Sequence, residues 1–232
     1  MIMKENFKLT KSIILLSGGL DSLAALGIAK DKYGIDLALT FNYGQKAADA
    51  EISASSEICK FYNIKNKIIT LDWLKDITTT ALVAEKNIPT ENLYTEESAK
   101  QVWVPNRNGV FLNIAAAYAD SYGYDYIIYG ANKDEGSTFP DNTEDFRRRI
   151  SEVFEFSTLK KPKVITPLIN YSKDDIVKIA IENSVPLELV KSCYNNGDKH
   201  CGVCESCKHL KEALYKNNAI NYINILFGNY EN

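Results

Sequence analysis

A doubly wound, parallel α/β sheet of five strands with a small C-terminal zinc-binding helical appendage is the fold this sequence predicts, on three observations. Apolar runs of strand length recur at residues 12–17, 35–41, 67–71, 124–130 and 163–168, each nearly continuous, as expected of strands covered on both faces. Stretches of helical spacing lie between them, and strand alternating with helix favours parallel pairing with right-handed crossovers. Beyond residue 185 the strand pattern stops, and four of the five cysteines gather there.

Taken in order, "IILL" is a buried strand, "SGGLDS" a turn and "LAALGIAK" a helix. "IDLALTF" and "KIITL" flank the helical "KAADAEISASSEICKFY", in which Cys59 reads as ordinary packing. "GVFLNIAAAYADSYG" is a helix whose alanines suit close packing, and "YDYIIYG" and "KVITPL" are the last strands. "SKDDIVKIAIENS" opens on Ser172 as a cap, carries two acids in its first turn and is followed by Pro186. The polar connections 81–106 and 131–146 are long enough to be functional loops. The chain divides into an α/β domain, 1–184, and a C-terminal subdomain, 185–232.

With 27 basic and 30 acidic side chains and a net charge of -3, the 232-residue chain has no broad attraction for a polyanion. The arginine run at residues 147–149 reads as a solvated helix face. No stretch approaches the roughly 20 apolar residues of a membrane span, and residues 1–11 lack the apolar centre of a secretory signal, so a cytoplasmic protein is expected.

The turn "SGGLDS" interrupts core-forming sequence with flexible backbone. Glycines let successive N–H groups converge on an anion, the adjoining helix start adds unpaired donors, and Ser17 and Ser22 add hydroxyls. The turn suits a phosphate or pyrophosphate group. It lacks the lysine of GxxxxGK[ST] and the spacing of GxGxxG.

Cys193, Cys201, Cys204 and Cys207 form a C-x7-C-x2-C-x2-C array. Four thiolates close a tetrahedral shell around Zn2+, with Gly202 easing the bend, and a closed shell makes the metal structural. An iron–sulfur cluster is the minority alternative. His200 and His209, the only two histidines, are expected to be exposed or hydrogen-bonded. Neither is near Cys59 in sequence, so no glutaminase pair is evident and ammonia is expected from outside.

"SGGLDS" resembles the pyrophosphate loop of the ATP pyrophosphatase superfamily, whose members cleave ATP between the α and β phosphates and activate a substrate oxygen as an adenylate. The resemblance implies an ATP site along Leu16, Ser17, Gly18, Gly19, Leu20, Asp21 and Ser22, with Asp21 helping to hold Mg2+. "FNYGQKAADAEISA" (41–54), "VPNRNGVFLNIAAAYA" (104–119) and "GANKDEGSTFPDN" (130–142), followed by the cysteine array, resemble the 7-cyano-7-deazaguanine synthase family across nearly the whole chain. "VPNRN" and "TFPDN" depart from the commonest bacterial forms and look like the archaeal branch.

That resemblance implies a carbon–nitrogen ligase. It would take 7-carboxy-7-deazaguanine, ammonia and ATP with Mg2+ to 7-cyano-7-deazaguanine, a precursor of modified tRNA bases, through an adenylated carboxylate and an amide. It implies a homodimer with no direct nucleic-acid partner. Within the matching stretches Arg107 is the candidate cation for phosphate or carboxylate, the alternative being an ordinary ion pair. Lys173 reaches the phosphates or is solvated beside Asp174 and Asp175. Gly130 lets adenine or ribose approach the backbone. Phe139 and Pro140 wall a flat heterocycle, and Asp141 accepts from a guanine-like edge or caps the next helix. Tyr43, Gln45 and Asn106 belong to the same rim. The competing functions are tRNA thiolation, which steep salt-dependent tRNA binding would reveal, and transfer of the activated deazaguanine to a protein.

Overall fold

The computed structural model describes residues 10–228, so the reading of residues 1–11 as signal-free falls mostly outside the described residues. In chain order the elements are β1 (Ser12–Leu15), α1 (Leu20–Tyr33), β2 (Ile35–Asn42), α2 (Ala48–Tyr62), β3 (Lys65–Thr70), α3 (Asp72–Ile77), α4 (Glu96–Val102) and α5 (Arg107–Tyr122). They continue as β4 (Tyr126–Ile128), α6 (Lys133–Gly136), α7 (Glu144–Ser157), β5 (Lys163–Ile165), α8 (Lys173–Glu182), α9 (Glu205–Lys216) and α10 (Ile220–Phe227).

All strand pairs are parallel, in the order β3-β2-β1-β4-β5. The chain runs outward from β1 to β3, then returns to β4 on the other side of β1. Right-handed crossovers therefore put α1 and α2 on one face and α5 and α7 on the other. The order reverses between β1 and β4, and the crevice beyond their carboxyl ends is where an open α/β sheet receives a ligand.

Burial explains the layering. Every residue of β1 is buried, and Leu20, Leu23, Ala24, Ala25, Leu26 and Ala29 bury α1 nearly all round. Ala115, Ala116 and Ala119 of α5 are buried too, the close packing expected of that alanine run. One expectation fails: β3 is not covered on both faces, with Lys65 and Lys67 exposed and Ile68 at 43%. It is the edge strand, and its lysines discourage pairing with another chain.

The capping of α8 is as expected, with Ser172 Oγ accepting from Asp175 N and Asp175 reaching back to Ser172 N. The arginine run lies on α7, where Arg147, Arg148 and Arg149 pair with Glu144, Asp145 and Glu152. Beyond residue 185, Leu210, Ala213, Leu214, Ile223 and Leu226 join the same apolar cluster as the sheet. A Cβ on Gly27 of α1 would come within 2.4 Å of Val185 Cγ2, so the C-terminal segment begins in close contact with α1.

Candidate active site

The glycine turn sits at the switch point. Gly18 takes φ +86, open to glycine at little cost, and an added Cβ would stand 2.8 Å from Ala54 Cβ in α2. Gly19 caps α1 and, as a glycine, offers no side-chain oxygen of its own to the first turn. Ser17, exposed on the cavity wall, shares a 3.2 Å contact with Ser22 Oγ, which donates to Gly19 O. Gly130, two residues beyond β4, admits the start of α1: a Cβ there would lie 2.8 Å from the carbonyl carbon of Asp21.

Asp21 faces the first residue of α8. Its Oδ2 accepts from Lys173 Nζ, which also donates to Glu135 at 2.9 Å, and Lys173 is only 15% exposed. The solvated reading of Lys173 is thereby replaced by a buried ion-pair cluster, while Asp174 turns to Lys216. Burial outweighs Lys173 and lifts the Asp21 carboxyl to about 6. Lys173 is held well above the usual lysine range by Asp21 and Glu135, despite its burial. Asp21 Oδ1 is buried without a hydrogen-bond partner among the described residues. An orphaned carboxylate oxygen beside the glycine turn fits Mg2+, which takes one or two carboxylates together with phosphate oxygens.

Arg107, the first residue of α5, enters the same cavity. Among the described residues its hydrogen bond is to Tyr43 Oη at 3.3 Å, leaving most of a five-donor fork uncommitted. Asp141 is buried, accepting from Asn108 N at 3.3 Å and, at its carbonyl, from Tyr129 Oη. It does not cap the next helix: Thr143 Oγ1 accepts from Phe146 N and caps α7. Phe139 stacks near-parallel on Trp103, centroids 5.4 Å apart.

These groups enclose a cavity of about 840 Å³, within the range of ligand sites. On its wall lie Leu16, Ser17, Gly19, Leu20, Asp21, Ser22, Tyr43, Arg107, Gly130, Phe139, Asp141 and Lys173. Four expected residues are elsewhere. Gly18 faces α2. Gln45 is buried, bonding Tyr43 N, Phe41 O and Glu51, so it braces the turn after β2. Asn106 takes φ 49 as the cap of α5, with its side chain over Gly109, and Pro140 is exposed at the start of a 3-10 turn.

Sequence reasoning missed Glu51, Trp103, Glu135 and Lys191 on the same wall. Glu51 is a buried carboxyl lifted to about 7 by burial, against its bond from Gln45 and the charges of Arg107 and Lys191. It lies in the quoted "YGQKAADAE" stretch, but a helical acid carries no sign of facing inward. Both long connections contribute to the cavity wall, and in the first Tyr94 stacks on His209 at 4.7 Å and donates its N–H to Glu205, so the segment before α5 is fastened to α9.

The four cysteine sulfurs lie within 4.8 Å of one another, Cys201 Sγ and Cys207 Sγ at 3.8 Å. Zn–S bonds of about 2.3 Å in a tetrahedron give edges of about 3.8 Å, so the donor set fits zinc. Asn195 N and Cys201 N point at Cys193 Sγ and Cys204 N at Cys201 Sγ, each at 3.4 Å. Hydrogen bonds from Cys204 and Cys207 hold the Cys193 thiol well below its usual range. His200 and His209 stand outside the sulfur set, His200 accepting from Ser192 N. Burial pushes the Cys59 thiol up to about 11, as suits an unreactive packing residue.

Residues 11–218 match the profile of the family described as queuosine biosynthesis protein QueC. The 7-cyano-7-deazaguanine synthase of Methanosarcina mazei is 47% identical over 215 residues, covering 88% of this chain and 93% of the relative. That of Carboxydothermus hydrogenoformans is 46% identical over 209 residues, covering 88% and 97%. Among solved structures, a 4-thiouridine synthetase in complex with RNA and ATP superposes with a TM-score of 0.52 at 18% identity, covering 94% of this chain and 53% of that one. At that identity the likeness is one of fold.

Proposed function

The chain belongs to the family of queuosine biosynthesis protein QueC, and from that premise we propose that it is a 7-cyano-7-deazaguanine synthase. It takes 7-carboxy-7-deazaguanine, ammonia and ATP to the nitrile. The observation that carries this reading is the convergence of the glycine turn, the Lys173–Asp21 pair and the open fork of Arg107 on one cavity beyond β1 and β4.

A carboxylate is a poor electrophile because its leaving group is oxide. Its adenylate expels AMP instead, so ammonia attacks an activated carbonyl and gives the amide. A second activation, at the amide oxygen, permits its loss and leaves the nitrile. The chain's residues hold the reactants in line and neutralise charge developing on the phosphates. The N–H groups of the Ser17–Ser22 turn and the start of α1 receive the phosphate tail, and Gly18 supplies the left-handed bend. Arg107 grips a phosphate or the substrate carboxylate in two places, and Lys173 supplies a second positive charge on the same cavity wall. Asp21 is the residue that would hold Mg2+, which when bound neutralises phosphate charge. Trp103 and Phe139 form an apolar face for the heterocycle, and Asp141 accepts from its polar edge.

The same reading makes the chain a carbon–nitrogen ligase with structural zinc at Cys193, Cys201, Cys204 and Cys207. Residues 185–232 act as the zinc subdomain of a homodimeric enzyme. No helix among the described residues is long and apolar enough to cross a membrane. The test is mass spectrometry of a reaction containing 7-carboxy-7-deazaguanine, ammonium, ATP and Mg2+. Nitrile is expected; if folded, metal-loaded protein yields neither amide nor nitrile, the synthase reading fails.

A further inference from the structure

The residues just before Cys193 join the cysteine centre to the glycine turn. Lys191 N donates to Gly18 O at 2.8 Å. Ser192 Oγ accepts from Leu20 N at 3.1 Å, satisfying one of the N–H groups that the start of α1 leaves open. A Cβ on Gly19 would stand 3.7 Å from Ser192 Oγ and 3.8 Å from Lys191 O. On the other side, Ser192 N donates to His200 Nε2 at 3.0 Å, and His200 N bonds Leu226 O of α10. Farther along the loop, Asn196 Oδ1 accepts from Ala50 N at the start of α2. The loop that carries the first sulfur therefore grips the starts of both helices that flank the nucleotide turn.

Lys191 is only 7% exposed and lies on the cavity wall. Its ammonium donates to Gly197 O at 2.6 Å, and among the described residues no carboxylate lies within ion-pair distance of it. An ammonium has three donors, so with Glu51 facing it only from beyond ion-pair distance this one keeps donors, among the described residues, for an anion bound beside it. The anion suited to this place is a phosphate of the nucleotide whose tail the adjoining turn receives.

We infer that Lys191 is a phosphate-binding residue, that Ser192 positions the glycine turn, and that the cysteine centre holds both in register with it. The metal site is then part of the nucleotide site's frame as well as a staple for the C-terminal helices. This inference rests on the proposed nucleotide site, and binding separates the two.

The experiment is calorimetric titration of the metal-loaded full chain with a nonhydrolysable ATP analogue and, separately, with inorganic pyrophosphate. Lys191→Met, Lys191→Arg and Ser192→Ala are compared with wild type, with zinc content and melting temperature measured for each. Lys191→Met is expected to weaken both ligands about tenfold or more at unchanged zinc content, the loss of a charged hydrogen bond, with Lys191→Arg recovering part. Ser192→Ala is expected to weaken the analogue several-fold. Chelated protein that keeps its helical circular dichroism is expected to lose the analogue by at least about tenfold. If Lys191→Met does not fold, the other two variants decide. Wild-type affinity in all folded, zinc-loaded variants overturns the inference alone; a wild type that binds no nucleotide overturns the proposed function with it.

Discussion

At the scale of single residues the cavity mixes what the sequence shows with what it hides. Arg107 was legible because it stands in the quoted "VPNRN", and its open fork suits bidentate binding of an oxyanion. Arg107→Lys keeps the charge and loses the fork, so kcat/KM for nitrile formation should fall by about 10- to 100-fold with little change in melting temperature. A variant as active as wild type would leave Arg107 a spectator. Glu51 was not legible, because its importance comes from what folds over it. Its carboxyl is raised from 4.5 to about 7, so the folded chain holds a proton there that the unfolded chain has released. The stability tied to that proton is fully present below about 4.5 and is lost as pH rises through 7. The facing groups are Gln45, Tyr43, Arg107 and Lys191. Glu51→Gln resembles the protonated form, so its melting temperature should match wild type near pH 5 and exceed it near pH 8. A difference that does not change with pH would show that Glu51 does not titrate in this window.

At the scale of elements, the five strands were legible because a parallel sheet demands continuous apolar runs, and those runs needed no tertiary information. The exposure of β3 was hidden, since being an edge follows from the strand order and not from "KIITL" itself. The short helices inside the long connections were equally hidden. Thr95 and Asn132 cap α4 and α6 locally, but what fixes those turns is their place over the cavity. Capping at α8 was plain, and Ser172→Ala should cost about 1 kcal/mol in denaturant unfolding. Gly27 sets helix propensity against packing. Alanine in mid-helix gains up to about 1 kcal/mol, but its methyl would lie 2.4 Å from Val185 Cγ2 and 3.3 Å from Tyr62 Oη. Overpacking at a buried contact costs about 1–3 kcal/mol, so Gly27→Ala should be neutral to destabilising. Val185→Ala should then cost less in that background than in wild type, and strict additivity in the double-mutant cycle would remove the steric account.

At the scale of the whole molecule, the cysteine array was the most legible feature, since four sulfurs at those spacings have few other uses. What the spacing could not reveal is how far the influence of a metal held there would extend. Leu210, Ala213, Leu214, Ile223 and Leu226 are buried in the same cluster as β1 and α1, and Val185 packs against Gly27. An independent appendage would melt by itself and leave the sheet intact. Here the C-terminal helices are part of the one core, so freeing the sulfurs should weaken the entire fold. Loss of even about 3–4 kcal/mol on removal of a bound metal should lower the melting temperature by about 6–16 °C in a chain of this size. Cys204→Ser, which removes a fully buried sulfur of the cluster, should act in the same direction. Differential scanning calorimetry checks both: one cooperative transition is expected in the metal-loaded chain, moving as a unit to lower temperature on chelation. A split into two transitions with the upper one unmoved would mean that residues 185–228 fold apart from the sheet, and the coupling argued here would fail.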